Sequence, residues 1–484
     1  MEYDVIIGFE THVELKTKTK LFCDCPVAYE VPPNSHICPV CTGQPGALPV
    51  LNKKAVEQTL RAGLAMNCSI NTKARFARKN YFYPDLPKGY QISQYESPFC
   101  EEGFLEILGD DGLPYPVGIK RIHLEEDAGK LIHSSGSFET SDYSLVDYNR
   151  SSVPLLEIVT DHERNPLRSI SEARGYLEKL RQILIYIEVS DCIIEKGQFR
   201  CDVNISLRPR GSQEFGNRSE IKNMASFRFI MEALEYEIQR QSELSQSGER
   251  PFQETRLFDE QKKKTLPMRS KEDAPDYRYF PDPDLVEIEI DQEFIGKMKG
   301  NIPELPDQKV IRIIETFGIP RSEALILTRD RNISNFFEAC ADTCKDKMRL
   351  SRWMIKDLFR LLNDAGISIE ACPIAPADFS ILINLVSQGT ITDGIGRTIL
   401  EEMYRTGFGP ETIIRKKGLA PIEDTDLLEK LITEVIGENR DVVVKIKGGN
   451  TRPLDYLIGQ VMRKTRGKAN PKEVKKLVYQ RLME

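Results

Sequence analysis

At 484 residues, with 40% hydrophobic and 29% charged side chains, the chain has the composition of a folded protein with room for about three cores. No apolar run approaches the roughly 18 residues a membrane helix needs, which excludes an integral helical membrane protein. A formal net charge of −7 disfavours a nucleic-acid partner for the chain as a whole. Eleven cysteines, with no export signal around Glu2 and Asp4, point to a reducing, cytoplasmic compartment rather than a disulfide framework.

Residues 3–16 alternate as a β-strand. Phe9, Thr11, Val13 and Leu15 share the face suited to a core, and Glu10, His12 and Glu14 share the other. Two carboxylates and an imidazole at i, i+2 and i+4 span about 13 Å of one strand face. They are either a solvated outer face or ligands for a divalent cation, and one strand alone leaves both readings open. A cysteine cluster follows within residues 21–45: Cys23 and Cys25, then Cys38 and Cys41 ahead of Gly43. Four thiolates in this arrangement suit a closed, structural zinc knuckle, the alternative being four free buried thiols. Residues 75–91 interleave Arg75, Arg78, Lys79 and Lys88 with aromatics around two prolines and Gly89, which predicts a shaped loop. Such a loop either stacks on unpaired bases or packs over its own domain.

Residues 119–127 alternate again, with Arg121, His123, Glu125 and Asp127 on one face. Glu157 interrupts the apolar run 153–159, where a lone carboxylate is costly unless paired or metal-bound. Ser169 and Glu172 form a capping box that opens a helix with apolar residues at Ile170, Leu177, Leu180, Leu184 and Ile187. A hairpin is expected next, with a first strand from Cys192, a Lys196-Gly197 turn and a second strand Phe199 to Leu207. Its polar face carries Arg200, Asp202, Asn204 and Ser206. A short strand over 218–222 contributes Glu220, and 276–284 closes the β-rich region. After a Pro/Gly linker the pattern turns helical, and a second Gly/Pro-rich boundary lies near 407–421. From Thr451 to Glu484 there are nine Lys/Arg against three Asp/Glu, a basic tail on an acidic chain. No internal repeat, Walker-type phosphate loop or Gly-x-Ser-x-Gly elbow is present. These signals predict an α+β chain. A β-rich cradle with a largely antiparallel sheet covers 1–292, an all-helical domain 293–405, and a small helical tail domain 406–484.

Five stretches carry a resemblance: Gly8-Phe-Glu-Thr-His-Val-Glu-Leu15, Arg78-Lys-Asn-Tyr-Phe-Tyr-Pro-Asp85, His123-Leu-Glu-Glu-Asp-Ala-Gly-Lys130, Arg200-Cys-Asp-Val-Asn-Ile-Ser-Leu-Arg-Pro209 and Asp276-Tyr-Arg-Tyr-Phe-Pro281. Together they resemble the GatB/GatE family of tRNA-dependent amidotransferases, over essentially the whole chain. Phe9 replaces the family's usual leucine, and many members lack the four cysteines, so zinc belongs to a subset and is not the catalytic metal.

The resemblance implies an ATP-dependent kinase and transamidase. Its substrate is the side-chain carboxylate of Asp-tRNA(Asn) and/or Glu-tRNA(Gln), with ammonia supplied by an amidase (A) partner in a heterotrimer completed by a small C subunit. The tail domain is expected to bind the tRNA. Clustered carboxylates need cations among them, so Glu10, His12, Glu125, Glu157, Asp202 and Glu220 are expected to hold two magnesium ions. His12, Glu125 and Glu157 would hold one ion, and Glu10, Asp202 and Glu220 the other, with Glu125 either confined to the first or shared between the two. Lys79 and Lys88 are expected to steer ammonia or the substrate carboxylate, and Arg200 to neutralise phosphate. Two rivals are a non-catalytic tRNA-binding scaffold and an ATP-dependent ligase for a free metabolite. Six ligands directed at one pocket count against the first, and the basic tail counts against the second.

Overall fold

The computed structural model describes residues 3–134, 141–212, 214–270, 276–418, 425–447, 453–465, 469 and 471–483. Parts of the basic tail, including Arg452, Arg466 and Lys468, lie outside the described residues, as do 419–421 of the second boundary. Contact within the chain divides it into two compact units, Met1–Leu305 and Pro306–Glu484.

The first unit is built on a nine-stranded sheet. Its strands in chain order are β1 (Tyr3–Glu14), β2 (Ser69–Ile70), β3 (Cys100–Leu108), β4 (Pro114–Glu126), β5 (Pro154–Thr160), β6 (Phe199–Pro209), β7 (Ser219–Lys222), β8 (Glu254–Asp259) and β9 (Lys264–Ser270). Across the sheet the order is β9-β8-β7-β6-β1-β5-β4-β3-β2, and every neighbouring pair is antiparallel except β7–β8. The opening strand therefore lies in the middle, paired on both sides.

Alternation gives the sheet two different faces. Phe9, Val13, Ile122, Leu124, Leu156, Ile158, Val203 and Ile205 are buried in one core together with residues of the helices α1 (Lys53–Ala65), α2 (Ile170–Tyr186) and α3 (Phe227–Gln246). The Phe9 ring stacks on Tyr176 of α2 at 5.8 Å between centroids. Ser169 caps α2 as expected, accepting the Glu172 N–H at 3.0 Å, and Leu177, Leu180, Leu184 and Ile187 are fully buried. The opposite face keeps the polar rows.

The structure differs from expectation in three places. No strand forms at 192–195, so the hairpin is absent. Ile194–Lys196 is a single 3₁₀ turn ended by Gly197 at φ +73°, and only β6 follows. The basic-aromatic loop is partly a sheet, because Ala77–Asn80 pairs with Tyr90–Ser93 and with Phe280–Pro281. Finally, the first unit runs to Leu305 rather than to 292. Helix α4 (Gln292–Gly300) sets Phe294 and Ile295 against the sheet core, Ile302 and Leu305 follow, and Arg61 donates to the Asn301 carbonyl at 3.0 Å.

The second unit is helical among its described residues and holds two separate cores, one spanning Val310–Ile413 and one spanning Leu428–Leu482. Ile413 of the helix Pro410–Lys417 is buried in the former, so the expected boundary at 406 falls ahead of the last helix of that core. No helix among the described residues is long and apolar enough to cross a membrane.

Candidate active site

The polar face of the sheet is assembled by register. His12 of β1 stands opposite Glu157 of β5 and Arg200 of β6, and Glu157 stands opposite His123 of β4. One step along β1, Glu10 faces Asp202. One step further, Asn204 of β6 faces Glu220 of β7, which faces Thr255 of β8. Residues of six strands thus form three adjoining rows, because directly opposite side chains project to the same side.

The rows line a cavity of about 400 Å³ holding Glu10, His12, Glu125, Glu157, Asp202 and Glu220, with Lys79, Lys222, Tyr277 and Tyr279 on its walls. A second cavity of about 460 Å³ adjoins it and shares Glu10, Arg121, Arg218 and Gln253. Ligand atoms of His12, Glu125 and Glu157 all lie within 4.8 Å of one another. His12 Nε2 is 3.6 Å from Glu125 Oε1 and 3.4 Å from Glu157 Oε2. Two carboxylates and an imidazole converging in this way fit a divalent cation.

His123, though on the expected polar face, was not among the candidate ligands. Its Nε2 lies 3.2 Å from Glu157 Oε2 and 3.6 Å from Glu125 Oε2, while its buried Nδ1 has no hydrogen-bond partner among the described residues. Burial disfavours the charge on both imidazoles, but the two glutamates outweigh it. His12 is raised, and His123 is pushed up to about 9. Burial also works against the glutamate charges, yet the imidazoles hold Glu157 well below the usual carboxylate range and Glu125 below it. Ser93 Oγ adds a hydrogen bond to Glu125 Oε2 at 2.9 Å.

The second expected ligand set differs. Lys222 Nζ sits 2.6 Å from Asp202 Oδ2 and 3.0 Å from Glu220 Oε1. Glu10 accepts from Asn204 Nδ2 at 2.9 Å, and Thr255 Oγ1 donates to Glu220 at 2.9 Å. Glu10, Asp202 and Glu220 share the cavity, but an ammonium stands between two of them. Burial, with Glu157 and Glu220 nearby, raises the Glu10 carboxyl. Lys222 outweighs burial to lower Glu220.

Of the expected cations, only Lys79 lines this cavity. Its Nζ lies 4.8 Å from the Tyr277 ring centre, and Tyr279 stacks on Tyr95 at 4.3 Å. Lys88 does not join the cluster. It donates to Glu126 Oε2 at 2.6 Å, and Glu126 also accepts from Ser152 Oγ and the Ile92 N–H. Arg200, although opposite His12, reaches Asp127 Oδ2 at 2.9 Å and does not line the cavity. Glu14 is likewise taken, accepting from Tyr29 at 2.6 Å.

The sulfurs of Cys23, Cys25, Cys38 and Cys41 lie within 4.8 Å of one another. The Cys38–Cys41 separation of 3.9 Å is close to the roughly 3.8 Å edge of a tetrahedral zinc–thiolate site. The donor set fits a structural metal. A hydrogen bond from Cys23 leads the causes that push the Cys41 thiol down to about 4. The Cys38 N–H donates to Cys41 Sγ at 3.2 Å, and the buried Lys20 ammonium donates to the same sulfur at 3.5 Å.

The family model for the GatB/GatE catalytic domain matches residues 5–296, and the one for the GatB domain matches 335–482. The chain belongs to the GatB/GatE family. It is 48% identical to the B subunit of the aspartyl/glutamyl-tRNA(Asn/Gln) amidotransferase of Carboxydothermus hydrogenoformans over 99% of both chains. It is 49% identical to the corresponding protein of Thermodesulfovibrio yellowstonii over the full length of both, and 46% identical to that of Persephonella marina, also over the full length of both.

Proposed function

We propose that the chain is the carboxylate-activating component of an ATP-dependent, tRNA-dependent amidotransferase, working in the cytoplasm with an amidase (A) partner and a small C subunit. The observation that carries this reading is the convergence of His12, Glu125 and Glu157 in a cavity that shares four residues with its neighbour. One cavity takes the aminoacyl end of Asp-tRNA(Asn) and/or Glu-tRNA(Gln), and the adjoining one takes ATP.

The chemistry has two steps. A carboxylate oxygen of the aminoacyl group attacks the γ-phosphorus, the bond to the β-phosphate oxygen breaks, and ADP leaves. Ammonia from the partner then forms the C–N bond, loses a proton, and expels phosphate. Carboxylate alone resists ammonia because oxide is a poor leaving group. Positioning and charge compensation supply most of the catalysis in such a transfer.

His12, Glu125 and Glu157 would hold magnesium, which when bound neutralises charge on phosphate oxygens. Lys79, which among the described residues makes no ion pair, faces the cavity and holds the substrate carboxylate. Arg121 and Arg218, at the junction of the two cavities, attract the phosphates. Tyr277 and Tyr279 offer faces for an unpaired base of the acceptor end. Lys88 acts through Glu126 and Arg200 through Asp127, fixing the strand end that carries Glu125. Zinc on the four cysteines is structural, and the basic tail meets tRNA backbone.

The test is ADP release by the reconstituted complex, supplied with misacylated tRNA, with free aspartate or glutamate, or with neither. Release only with misacylated tRNA supports the proposal. Release with the free amino acid gives the metabolite ligase. Binding of tRNA without any ADP release gives the scaffold.

A further inference from the structure

We propose that Lys20 is the built-in counter-ion of the four-cysteine centre, its ammonium cancelling part of the thiolate charge that a bound divalent metal leaves over. The proposal rests on the reading of Cys23, Cys25, Cys38 and Cys41 as a metal site and deepens it.

The Lys20 side chain is completely buried. A buried lysine is almost always paired, because an isolated ammonium is costly to take out of water. Among the described residues, no carboxylate pairs with Lys20; its Nζ donates to Cys41 Sγ at 3.5 Å and to the Tyr148 carbonyl at 3.3 Å. A carbonyl and a neutral thiol offer no charge to balance an ammonium, and a thiolate does. Four thiolates around a divalent ion leave two negative charges over, and one ammonium cancels one of them. The sulfurs thus supply the anion that the lysine lacks. The lysine supplies a cation beside the buried Cys41, where solvent screens the excess charge least.

One residue joins both halves of the set. The Lys20 backbone N–H donates to the Cys25 carbonyl at 2.9 Å, closing the turn that carries Cys23 and Cys25, while the side chain reaches Cys41 of the second pair. The Cys38 N–H that also donates to Cys41 Sγ is neutral and offers no such charge. On the far side, Ser151 Oγ donates to the Cys41 carbonyl at 3.0 Å. Tyr148 and Ser151 lie just ahead of β5, and this segment covers the ammonium. Metal-bound sulfurs are tuned by the groups that touch them from outside the ligand shell, and loss of such a partner weakens metal binding without removing a ligand.

Zinc affinity of the full chain is measured by competition with a chromophoric chelator. Lys20→Met, which keeps much of the stem and removes the charge, should bind zinc about tenfold more weakly than the wild type. Lys20→Gln, which can still donate a neutral hydrogen bond, should lose as much. Ser151→Ala, which removes a neutral hydrogen bond from the same centre, should stay within about twofold of the wild type. Wild-type affinity in Lys20→Met or Lys20→Gln overturns the proposal, and so does an equal loss in Ser151→Ala, which would assign the effect to packing. Thermal melts separate charge from packing a second time. Lys20→Met should lower the melting temperature of the zinc-loaded chain by several degrees, and should not lower it further in the Cys38→Ser, Cys41→Ser background, where there is no metal centre to balance. An equal drop in both backgrounds makes Lys20 an ordinary core residue and overturns the proposal. No zinc bound by the wild type overturns the metal reading of the four cysteines and this proposal with it.

Discussion

The cysteine cluster and the histidine–glutamate cluster are both candidate metal centres, and they are made in opposite ways. Cys23, Cys25, Cys38 and Cys41 fall within nineteen residues, and local turns bring their sulfurs together. His12, Glu125 and Glu157 come from three strands, and only the pairing β1–β5–β4 makes them neighbours. A closed set of four sulfurs leaves no ligand position for substrate. An open set of three donors on a cavity wall does. In this chain local sequence brings the cysteine set together, and long-range register the histidine–glutamate set.

The comparison breaks most sharply at His12. His12→Ala and Glu157→Gln should each lower ammonia-dependent amidation roughly a thousand-fold or more, because uncompensated phosphate charge costs several kcal/mol. His12 is part-exposed, so the melt of His12→Ala should match the wild type, whereas Glu157→Gln takes the carboxylate from buried His123 and should melt lower; partner assembly should survive in both. Near-normal amidation by either variant would reduce the cluster to an ordinary polar sheet face.

A control comes from a buried charge that belongs to neither centre. Glu237 of α3 is fully buried, pairs with Arg240 at 2.9 Å and Arg256 at 3.0 Å, and accepts from Thr265. Burial opposes its charge, but these partners outweigh it, and the folded carboxyl sits below its usual value. Its stabilisation is therefore complete above the unfolded carboxyl value of about 4.3 and is lost as pH falls through the lower folded value. Glu237→Gln should cost about 3 kcal/mol at neutral pH, and less at pH 3, in urea unfolding followed by circular dichroism. An equal cost at both pH values would show that the charge contributes nothing.

Metal analysis sharpens the other side. Protein purified without chelators should hold one zinc per chain. Cys38→Ser with Cys41→Ser should hold none and melt roughly 5 °C lower, while amidation per folded molecule stays unchanged. A parallel loss of amidation would mean that the two centres are coupled.

The smallest effect is expected from the tail. Ile413 belongs to the core that starts at Val310, so a clean truncation follows Gly418 rather than residue 406. Removing the remainder should weaken tRNA binding about tenfold at 0.1 M salt and flatten its salt dependence, since phosphate contacts release counterions. Filter binding at several salt concentrations reads both quantities.

Much of this site was legible beforehand because alternation is local. The polar face of β1, the isolated Glu157 and the pairing of Asp202 with Asn204 along β6 follow from residues i and i+2 alone. Register is not local, and the misplacements trace to it. Nothing in the sequence states that β7 lies beside β6 with Lys222 between two acids, or that Arg200 is captured by Asp127. His123 was visible on the right face, but its role depends on lying opposite Glu157. The absent hairpin has a similar cause. Its turn signal was sound, yet Cys192 is buried in the core with the sheet and helices, and a 3₁₀ turn forms where a strand was expected. The unit boundary was missed because α4 looks like any amphipathic helix until its apolar side is seen against the sheet core.

The central position of β1 also sets a timetable. Its partners are Pro154–Thr160 and Phe199–Pro209, so the first strand made is still unpaired when β2, β3 and β4 are complete. At 5–20 residues per second, one edge waits roughly seven to thirty seconds for Pro154–Thr160 and the other on the order of ten to forty for Phe199–Pro209. During that interval the nascent segment presents an apolar face and two rows of unpaired amides, which is the kind of surface chaperones hold and aggregates recruit. Glu10, His12 and Glu14 on the opposite face then have a task before any pocket exists. Three ionisable groups on every other residue keep the waiting strand from associating with copies of itself on neighbouring ribosomes.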